Sequence, residues 1–305
     1  MNIEEQYLSL MARILNEGDK RIDRTGVGTR SVFGAMLRHD MSQNEFPALT
    51  TKRVYWKTAV REMLWFLTGN TNIRPLVLQG VKIWNEWPHA AYVKATGDNI
   101  SVEEFAQRIA ESQEFADKWG DLGPVYGKQW VNWDTFIESS EPGKYIKGTG
   151  INQVEQVIEG LKSSPGGRRH IIEGWNVSEI DKMALPPCHK SYQFHVSDGR
   201  LNCMLTQRSC DIFLGLPFNL VGQAVLTAMI AQQAGLQCGE LIWSGGDVHI
   251  YLNHLEAVEE QLSRTPGNLG IFKLDPAATI NDYTIDHFSV QDYKPQDTIK
   301  APVAV

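Results

Sequence analysis

The chain has 305 residues, 42% of them hydrophobic and 21% charged, with a formal net charge of −7 at pH 7. That length buries a sizeable core and accommodates one large domain or two small ones, and the negative balance excludes non-specific attraction of the whole chain to nucleic acid. Met1-Asn2-Ile3-Glu4-Glu5 lacks the basic start and apolar run of a signal peptide, and no apolar stretch is long enough for a membrane span, so a cytoplasmic protein is expected.

In chain order, apolar residues at helical spacing (Ile3, Tyr7, Leu10, Met11, Ile14) predict a helix over Ile3 to Asn16, with Gly18 as its stop. Ser31 to Arg38 reads as a strand, and Lys57 to Leu67 as a helix stopped by Gly69. Ser101 and Glu104 form a capping box that starts a helix of about four turns, inside a peripheral helical insert at about 88–119. Ile151 to Leu161 is helical and Arg169 to Trp175 a strand. His189 to Val196 and Leu201 to Arg208 both alternate, and Ser197-Asp198-Gly199 between them predicts a hairpin. Leu220 to Ala234 is apolar on most faces, which suggests a buried central helix closed by Gly235; Leu241 to Tyr251 returns to strand, and a polar helix near 252–263 follows. Interleaved helices and strands without a strict βαβ rhythm predict an α/β (α+β) fold: a single domain over 1–305 with a mixed, mainly antiparallel sheet covered by helices.

Several clusters carry chemistry. In Leu185-Pro186-Pro187-Cys188-His189 a cysteine follows two residues with restricted torsions, which can hold a thiol in one place. A nucleophilic thiolate also needs a nearby cation; otherwise a cysteine is a small buried hydrophobe. None of Cys188, Cys203, Cys210 and Cys238 forms a Cys-x-x-Cys pair, so no zinc or other metal site is expected. Gln207-Arg208-Ser209, Gly167-Arg168-Arg169 and Asp23-Arg24-Thr25-Gly26 supply guanidinium, hydroxyl and backbone donors for a phosphate, or else surface ion pairs. Asn219, after Gly215-Leu216-Pro217-Phe218, carries a donor and an acceptor that match the O4 and N3–H edge of a uracil, unless it merely caps a helix. Gly246-Asp247-Val248-His249-Ile250-Tyr251 sets polar groups in a strand. Trp84-Asn85-Glu86-Trp87 offers aromatics that stack on a planar heterocycle or fill a core.

Taken in this order, these pieces resemble the thymidylate synthase family. The resemblance runs from Asp23-Arg24-Thr25-Gly26 to Lys300-Ala301-Pro302-Val303-Ala304-Val305. It passes through Thr50-Thr51-Lys52-Arg53, Glu62-Met63-Leu64-Trp65-Phe66-Leu67, Gly120-Asp121-Leu122-Gly123-Pro124-Val125-Tyr126-Gly127, Arg168-Arg169 and Pro187-Cys188-His189. The specific run from Gln207 to Asn219 and Gly246 to Tyr251 complete it. What the resemblance implies is reductive methylation of deoxyuridine monophosphate (dUMP) to dTMP, with 5,10-methylenetetrahydrofolate as co-substrate and no metal. Cys188 attacks C6 of the pyrimidine, with Arg208 beside it. Arg24, Arg208 and Ser209 hold the phosphate, joined by Arg168 and Arg169 from the other subunit of a homodimer formed through the sheet face. His249 and Tyr251 bond the deoxyribose hydroxyl, and Asn219 reads the base, with Asp211 also lining the substrate site. Glu62 and Tyr126, through ordered water, help remove the C5 proton. Lys52, Ile83, Trp84, Trp87, Asp211, Leu214, Gly215 and Phe218 shape the folate pocket, and Ala304-Val305 close over it.

Two stretches depart from the family text: Glu173-Gly174 before Trp175-Asn176, where small residues are expected, and Val221-Gly222-Gln223 after Asn219. A carboxylate at 173 on an interior strand needs a partner or a proton. These departures leave open a dUMP 5-hydroxymethylase, which shares the covalent cysteine intermediate but traps it with water; exclusion of water decides between the two. A cytidylate hydroxymethylase is disfavoured by Asn219. Weak binding of RNA is a possible additional property that the net charge makes unsuitable as the main one. A catalytically dead homologue is argued against by the intact Cys188, Asn219 and arginine set.

Overall fold

The computed structural model describes residues 1–22 and 25–303; Asp23, Arg24, Ala304 and Val305 lie outside the described residues. The expected fold class is observed: an α/β protein with a mixed, mainly antiparallel sheet covered by helices. The chain divides into two compact units, one made of Met1–Val60, Ile158–His170 and Cys188–Val305, the other of Arg61–Val157 and Ile171–Pro187. Among the described residues no helix is long and apolar enough to cross a membrane.

The first unit opens with the helix Ile3–Glu17, whose Asn2 cap accepts from the Glu5 N–H while the Glu5 carboxylate accepts from the Asn2 N–H, both at 2.9 Å. Ile3, Tyr7, Leu10, Met11 and Ile14 are its buried face, as their spacing predicts. The sheet of this unit runs Asp19–Arg21, Thr29–Asp40, Gln237–Tyr251, Arg200–Asp211, His189–Ser197 in spatial order. All its neighbours pair antiparallel except Arg200–Asp211 with Gln237–Tyr251, which are parallel. A parallel pair needs a crossover, and the helix Gly215–Gln233 provides it, packing on the two strands it joins. From Leu220 to Ala231 every residue of that helix is buried.

This helix starts five residues before the expected Leu220. Pro217 sits in its first turn, where backbone N–H groups have no partner inside the helix and a proline costs little. The hairpin expected around Ser197-Asp198-Gly199 is present, with Asp198 and Gly199 at φ of 50° and 71°, the left-handed pair that a tight two-residue turn requires. Cross-strand rows separate the two faces of the sheet. Leu37–Trp243–Leu205–Tyr192 and His39–Leu241–Cys203–Phe194 are buried. On the opposite face, Met36–Ser244–Thr206–Ser191 and Arg38–Ile242–Met204–Gln193 are half-buried or exposed.

In the second unit the capping box is half realised: Ser101 accepts from the Glu104 N–H at 3.1 Å. The helix it starts is only Val102–Glu111. Ser112 then caps a second helix, Gln113–Trp119, so the expected four-turn helix is broken in two. Tyr92, Phe105, Phe115 and Trp119 form an aromatic cluster of their own within the 88–119 segment. A small hairpin, Phe136–Glu138 with Tyr145–Lys147, escapes sequence reading because its side chains are exposed on both faces and no alternation results. Gly127 is demanded by close approach: a Cβ there would lie 2.2 Å from the Phe66 carbonyl oxygen, so only glycine lets these two segments meet.

Candidate active site

In the first unit, Cys188 immediately precedes the strand His189–Ser197, and its carbonyl accepts from the Arg208 N–H at 2.9 Å. The thiol-bearing residue and the arginine are thus cross-strand neighbours, next to a register shift between His189 and Ser191 of the kind that re-aims side chains. The other three thiols are unsuited to attack. Burial raises Cys203 to about 12 and Cys238 to about 11, and burial with the nearby Asp211 raises Cys210 well above the usual thiol value.

Asn219 is not a helix cap. Leu214 holds the cap position, and Asn219 lies in the fifth place of the helix Gly215–Gln233. Its Oδ1 accepts from Gln207 Nε2 at 2.9 Å; Gln207 Nε2 also donates to the Ser209 carbonyl at 3.0 Å, and Gln207 Oε1 accepts from the Trp243 indole at 2.8 Å. The indole can only donate, so it fixes which end of Gln207 is oxygen, and Gln207 in turn fixes the amide of Asn219. His189 also hydrogen-bonds Asn219, and its Nδ1 meets the Tyr192 hydroxyl at 3.1 Å. Burial pushes His189 down to about 4, so it is neutral at physiological pH. Gln207, Trp243, His189 and Tyr192 were missed as site residues. The signal was there: Gln207 is a polar residue in the buried slot of the alternation Leu201, Cys203, Leu205.

Further along the same sheet, Ser209 pairs with Asp247, Asp211 with His249, and Tyr251 with Thr29. His249 Nδ1 lies 3.1 Å from Asp247 Oδ1, and this bond, with Arg21 at 3.0 Å from the other oxygen, holds the Asp247 carboxyl below its usual range. With Nδ1–H committed to Asp247, Nε2 of a neutral His249 is an acceptor. Asp211 Oδ1 accepts from the N–H groups of Phe213 and Leu214 at 2.8 and 3.2 Å, which shapes the turn into Gly215 and Phe218. Lys52 is buried, donates to the Phe213 carbonyl and sits 3.5 Å over the Phe213 ring; burial lowers it to about 7 against the pull of Asp211. Arg168 and Arg169 are exposed on a loop that His170 pins through the Ser164 carbonyl at 3.0 Å.

In the second unit, Glu62 accepts from the Trp84 indole at 2.8 Å. Desolvation of its carboxyl raises it to about 7, the Trp84 bond opposing the shift. Around it, Phe66 stacks on Tyr126 at 4.7 Å, and Trp84 contacts Tyr126 at 5.8 Å and Trp87 at 5.3 Å. Tyr126 is the buried first residue of the helix Tyr126–Val131, and Ile83 is exposed beside the buried Trp84. The expected Arg24 and Ala304 lie outside the described residues.

The two departures from the family text have structural work. Gln223, fully buried, donates from Nε2 to the carbonyls of Cys203 and Ile242, both at 3.0 Å, tying the parallel strands together where their register shifts between Leu201 and Cys203. Glu173 is not interior as expected: it ends the short strand Ile171–Glu173 half-buried, and its carboxylate accepts from the Trp175 N–H at 3.0 Å.

Comparison with known proteins identifies the family. The profile of the family described as thymidylate synthase matches residues 5–305. A protein of Novosphingobium aromaticivorans named thymidylate synthase is 60% identical over 99% of this chain and 96% of its own length. Relatives of the same name from Sphingopyxis alaskensis (56% identical, 100% of this chain, 99% of theirs) and Rhizobium rhizogenes (54%, 99% and 98%) are also similar throughout.

Proposed function

The chain belongs to the thymidylate synthase family, and on that premise we propose that it converts dUMP to dTMP with 5,10-methylenetetrahydrofolate, releasing dihydrofolate. The observation that carries the reading at residue level is the chain Trp243–Gln207–Asn219. It leaves Asn219 with a fixed acceptor for N3–H and a fixed donor for O4, on the helix beside the strands that bear Arg208 and follow Cys188.

C5 of uracil is a poor nucleophile. Addition of the Cys188 thiolate at C6 makes C5 an enolate carbon and places negative charge on O4, where the Asn219 amide stabilises it. Arg208, one strand from Cys188, favours the thiolate and binds phosphate with Ser209, Arg24 and, across a homodimer, Arg168 and Arg169 of the partner subunit. His249 accepts the deoxyribose hydroxyl proton at Nε2, with Tyr251 as second partner. Glu62, ionised at or above about neutral pH, takes the C5 proton through water with Tyr126.

The folate supplies the one-carbon unit and the hydride. To it we assign the aromatic faces of Trp84 and Trp87, apolar contact from Ile83, Leu214 and Phe218, the backbone at Gly215, and Lys52, whose burial lowers it to about 7. Asp211, with Oδ1 occupied by backbone, keeps Oδ2 for a donor on the ring. Ala304-Val305 then exclude water, as lids do. The homodimer uses the sheet face opposite the buried rows, where Met36 is exposed and Met204 and Ile242 are half-buried. The names of the relatives favour methylation over the hydroxymethylase.

The test is to incubate the protein with dUMP and methylenetetrahydrofolate, identify the nucleotide by mass and follow dihydrofolate by absorbance. Equal amounts of dTMP and dihydrofolate are expected. Hydroxymethyl-dUMP with tetrahydrofolate and no dihydrofolate would overturn the reading.

A further inference from the structure

Glu4, in the first turn of the helix Ile3–Glu17, is fully buried. A buried carboxylate needs donors, and two consecutive threonines supply them. Oε1 accepts from the Thr50 N–H at 2.8 Å and from the N–H and hydroxyl of Thr51, both at 2.7 Å. Oε2 accepts from the Thr50 N–H at 2.9 Å and the Thr50 hydroxyl at 2.7 Å. These donors replace the water that the carboxylate gives up. The hydroxyls accept in turn, Thr50 Oγ1 from the Gly267 N–H at 2.7 Å and Thr51 Oγ1 from Gln261 Nε2 at 2.9 Å. The Thr51 carbonyl accepts from Arg264 Nη1 at 2.7 Å. Thr51 therefore has its N–H, its hydroxyl and its carbonyl all fixed, and Lys52 starts from that peptide. The Lys52 side chain ends on the Phe213 carbonyl and over the Phe213 ring. Tyr7, one turn beyond Glu4 on the buried face of the same helix, donates to the Ile212 carbonyl at 3.0 Å. One helix thus holds both the stretch from which Lys52 starts and the turn on which it ends. None of the chemistry above uses Glu4.

We propose that Glu4 is a positioning residue for the folate: by holding Thr50 and Thr51 it sets where Lys52 starts, and so where the Lys52 amine stands. The inference rests on the assignment of Lys52 to the folate given above. A lysine head on a flexible four-carbon stem is placed only as well as the backbone that carries it. The carboxylate that pulls on Lys52 directly is Asp211; Glu4 reaches it through the Thr51 peptide. Where that peptide is loosened, the Lys52 amine gains water, binds its proton more tightly and no longer keeps one place beside the folate.

The test uses Glu4→Gln, which keeps the shape of the side chain but turns a donor toward donors. Three readouts are taken: KM for methylenetetrahydrofolate, KM for dUMP, and the titration midpoint of Lys52, traced by acetic anhydride labelling across pH and mapped by mass. In the wild-type chain that midpoint should lie near 7. In Glu4→Gln it should rise by at least one pH unit, and the folate KM should rise about 10-fold while the dUMP KM stays within about 2-fold. Lys52→Met alone should raise the folate KM about 10-fold, and Glu4→Gln added to it should change that KM by no more than about 2-fold, because both changes remove the same contact. An unchanged Lys52 midpoint in Glu4→Gln overturns the proposal. So does a joint rise of both KM values, or a double variant in which the two effects multiply to about 100-fold; either marks a merely structural carboxylate. Should Glu4→Gln not fold, Thr51→Val, which removes one donor to Glu4, is read against the same outcomes, with Thr51→Ser expected to restore the wild-type midpoint and folate KM. Labelling needs no folate. An unchanged folate KM in Lys52→Met would therefore sink the assignment of Lys52, whereas an unchanged midpoint in Glu4→Gln sinks the role of Glu4 and leaves that assignment standing.

Discussion

The two units solve opposite electrostatic problems. In the first, polar side chains are immobilised: Trp243 fixes Gln207, Gln207 fixes Asn219, Asp247 fixes His249, and backbone N–H groups fix Asp211. In the second, Glu62 has its carboxyl in an aromatic nest with a single indole donor, and its proton affinity is raised to about 7. Recognition of a ligand needs donors and acceptors held in one orientation. Moving a proton needs a group that changes state near the working pH. Burial serves both ends; what differs is whether the buried group is also tied down.

The largest effect should come from the nucleophile. Cys188→Ala should lower kcat by about 10⁴-fold or more, while dUMP affinity stays within a few-fold, because the phosphate and base contacts remain. Turnover near the wild-type rate would break the assignment of covalent chemistry to the first unit, since the other thiols are held protonated.

Glu62→Gln tests the second unit. The expected loss in kcat is about 10²- to 10⁴-fold, and the acidic limb of the pH–rate profile, centred near 7 in the wild-type chain, should disappear. Stability should move the other way. A carboxyl whose folded pKa is raised contributes its stability fully below the unfolded value, and that contribution is lost as pH rises through the folded value. At pH 8 the ionised Glu62 is therefore a liability that a neutral Gln lacks. A shift from 4.5 to about 7 sets an upper limit of about 3 kcal/mol, reduced by residual solvent contact. Activity lost and melting temperature gained at pH 8, with no gain at pH 4, is the combination to look for; a melting temperature that falls equally at both pH values would show that Glu62 is structural.

How much of this was legible beforehand follows from the same physics. Helices with a strong apolar stripe, the hairpin around Asp198-Gly199 and the buried helix after Asn219 declare themselves by local pattern. Cys188, Arg208, Glu62 and Tyr126 came from residue order and family resemblance, which carry no geometry. What could not be read was long-range pairing: that Cys188 shares a backbone bond with Arg208, that Trp243 governs Asn219 from another strand, and that His254 reaches Pro302. The parallel pairing of Arg200–Asp211 with Gln237–Tyr251 also stayed hidden, because a mixed sheet differs from an antiparallel one only in connectivity. The break at Ser112 was missed because a serine in a polar stretch looks the same as a cap and as a surface residue.

The fixed amide of the first unit makes a finer prediction. Asn219→Asp should relax discrimination toward cytidylate, whose edge offers a donor at position 4 and an acceptor at N3. Trp243→Phe leaves Asn219 in place but frees Gln207 to rotate. Loss of one such bond is worth about 1 kcal/mol, so dUMP-over-dCMP selectivity, measured as a ratio of kcat/KM values, should fall about 5- to 10-fold. Unchanged selectivity in Trp243→Phe would show that the amide of Asn219 is oriented by something other than this chain.

Gln223 lies four residues after Asn219 on the same helix and sets the smallest effect on activity. The two residues bond the same strand at Cys203 and Gln207, also four residues apart, so Gln223 fixes the register of the helix against the strand that orients Asn219. Gln223→Leu would strand the carbonyls of Cys203 and Ile242 but remove the Gln223 Oε1, which has no partner among the described residues. The net cost should be about 2 kcal/mol, a fall of several degrees in melting temperature, with kcat within about 3-fold. The product should remain dTMP throughout, since the side chain lies among strand carbonyls inside the first unit. Appearance of hydroxymethyl-dUMP in this variant would mean that helix register, set from within the core, also governs the exclusion of water, and would join the two electrostatic regimes that the wild-type chain keeps apart.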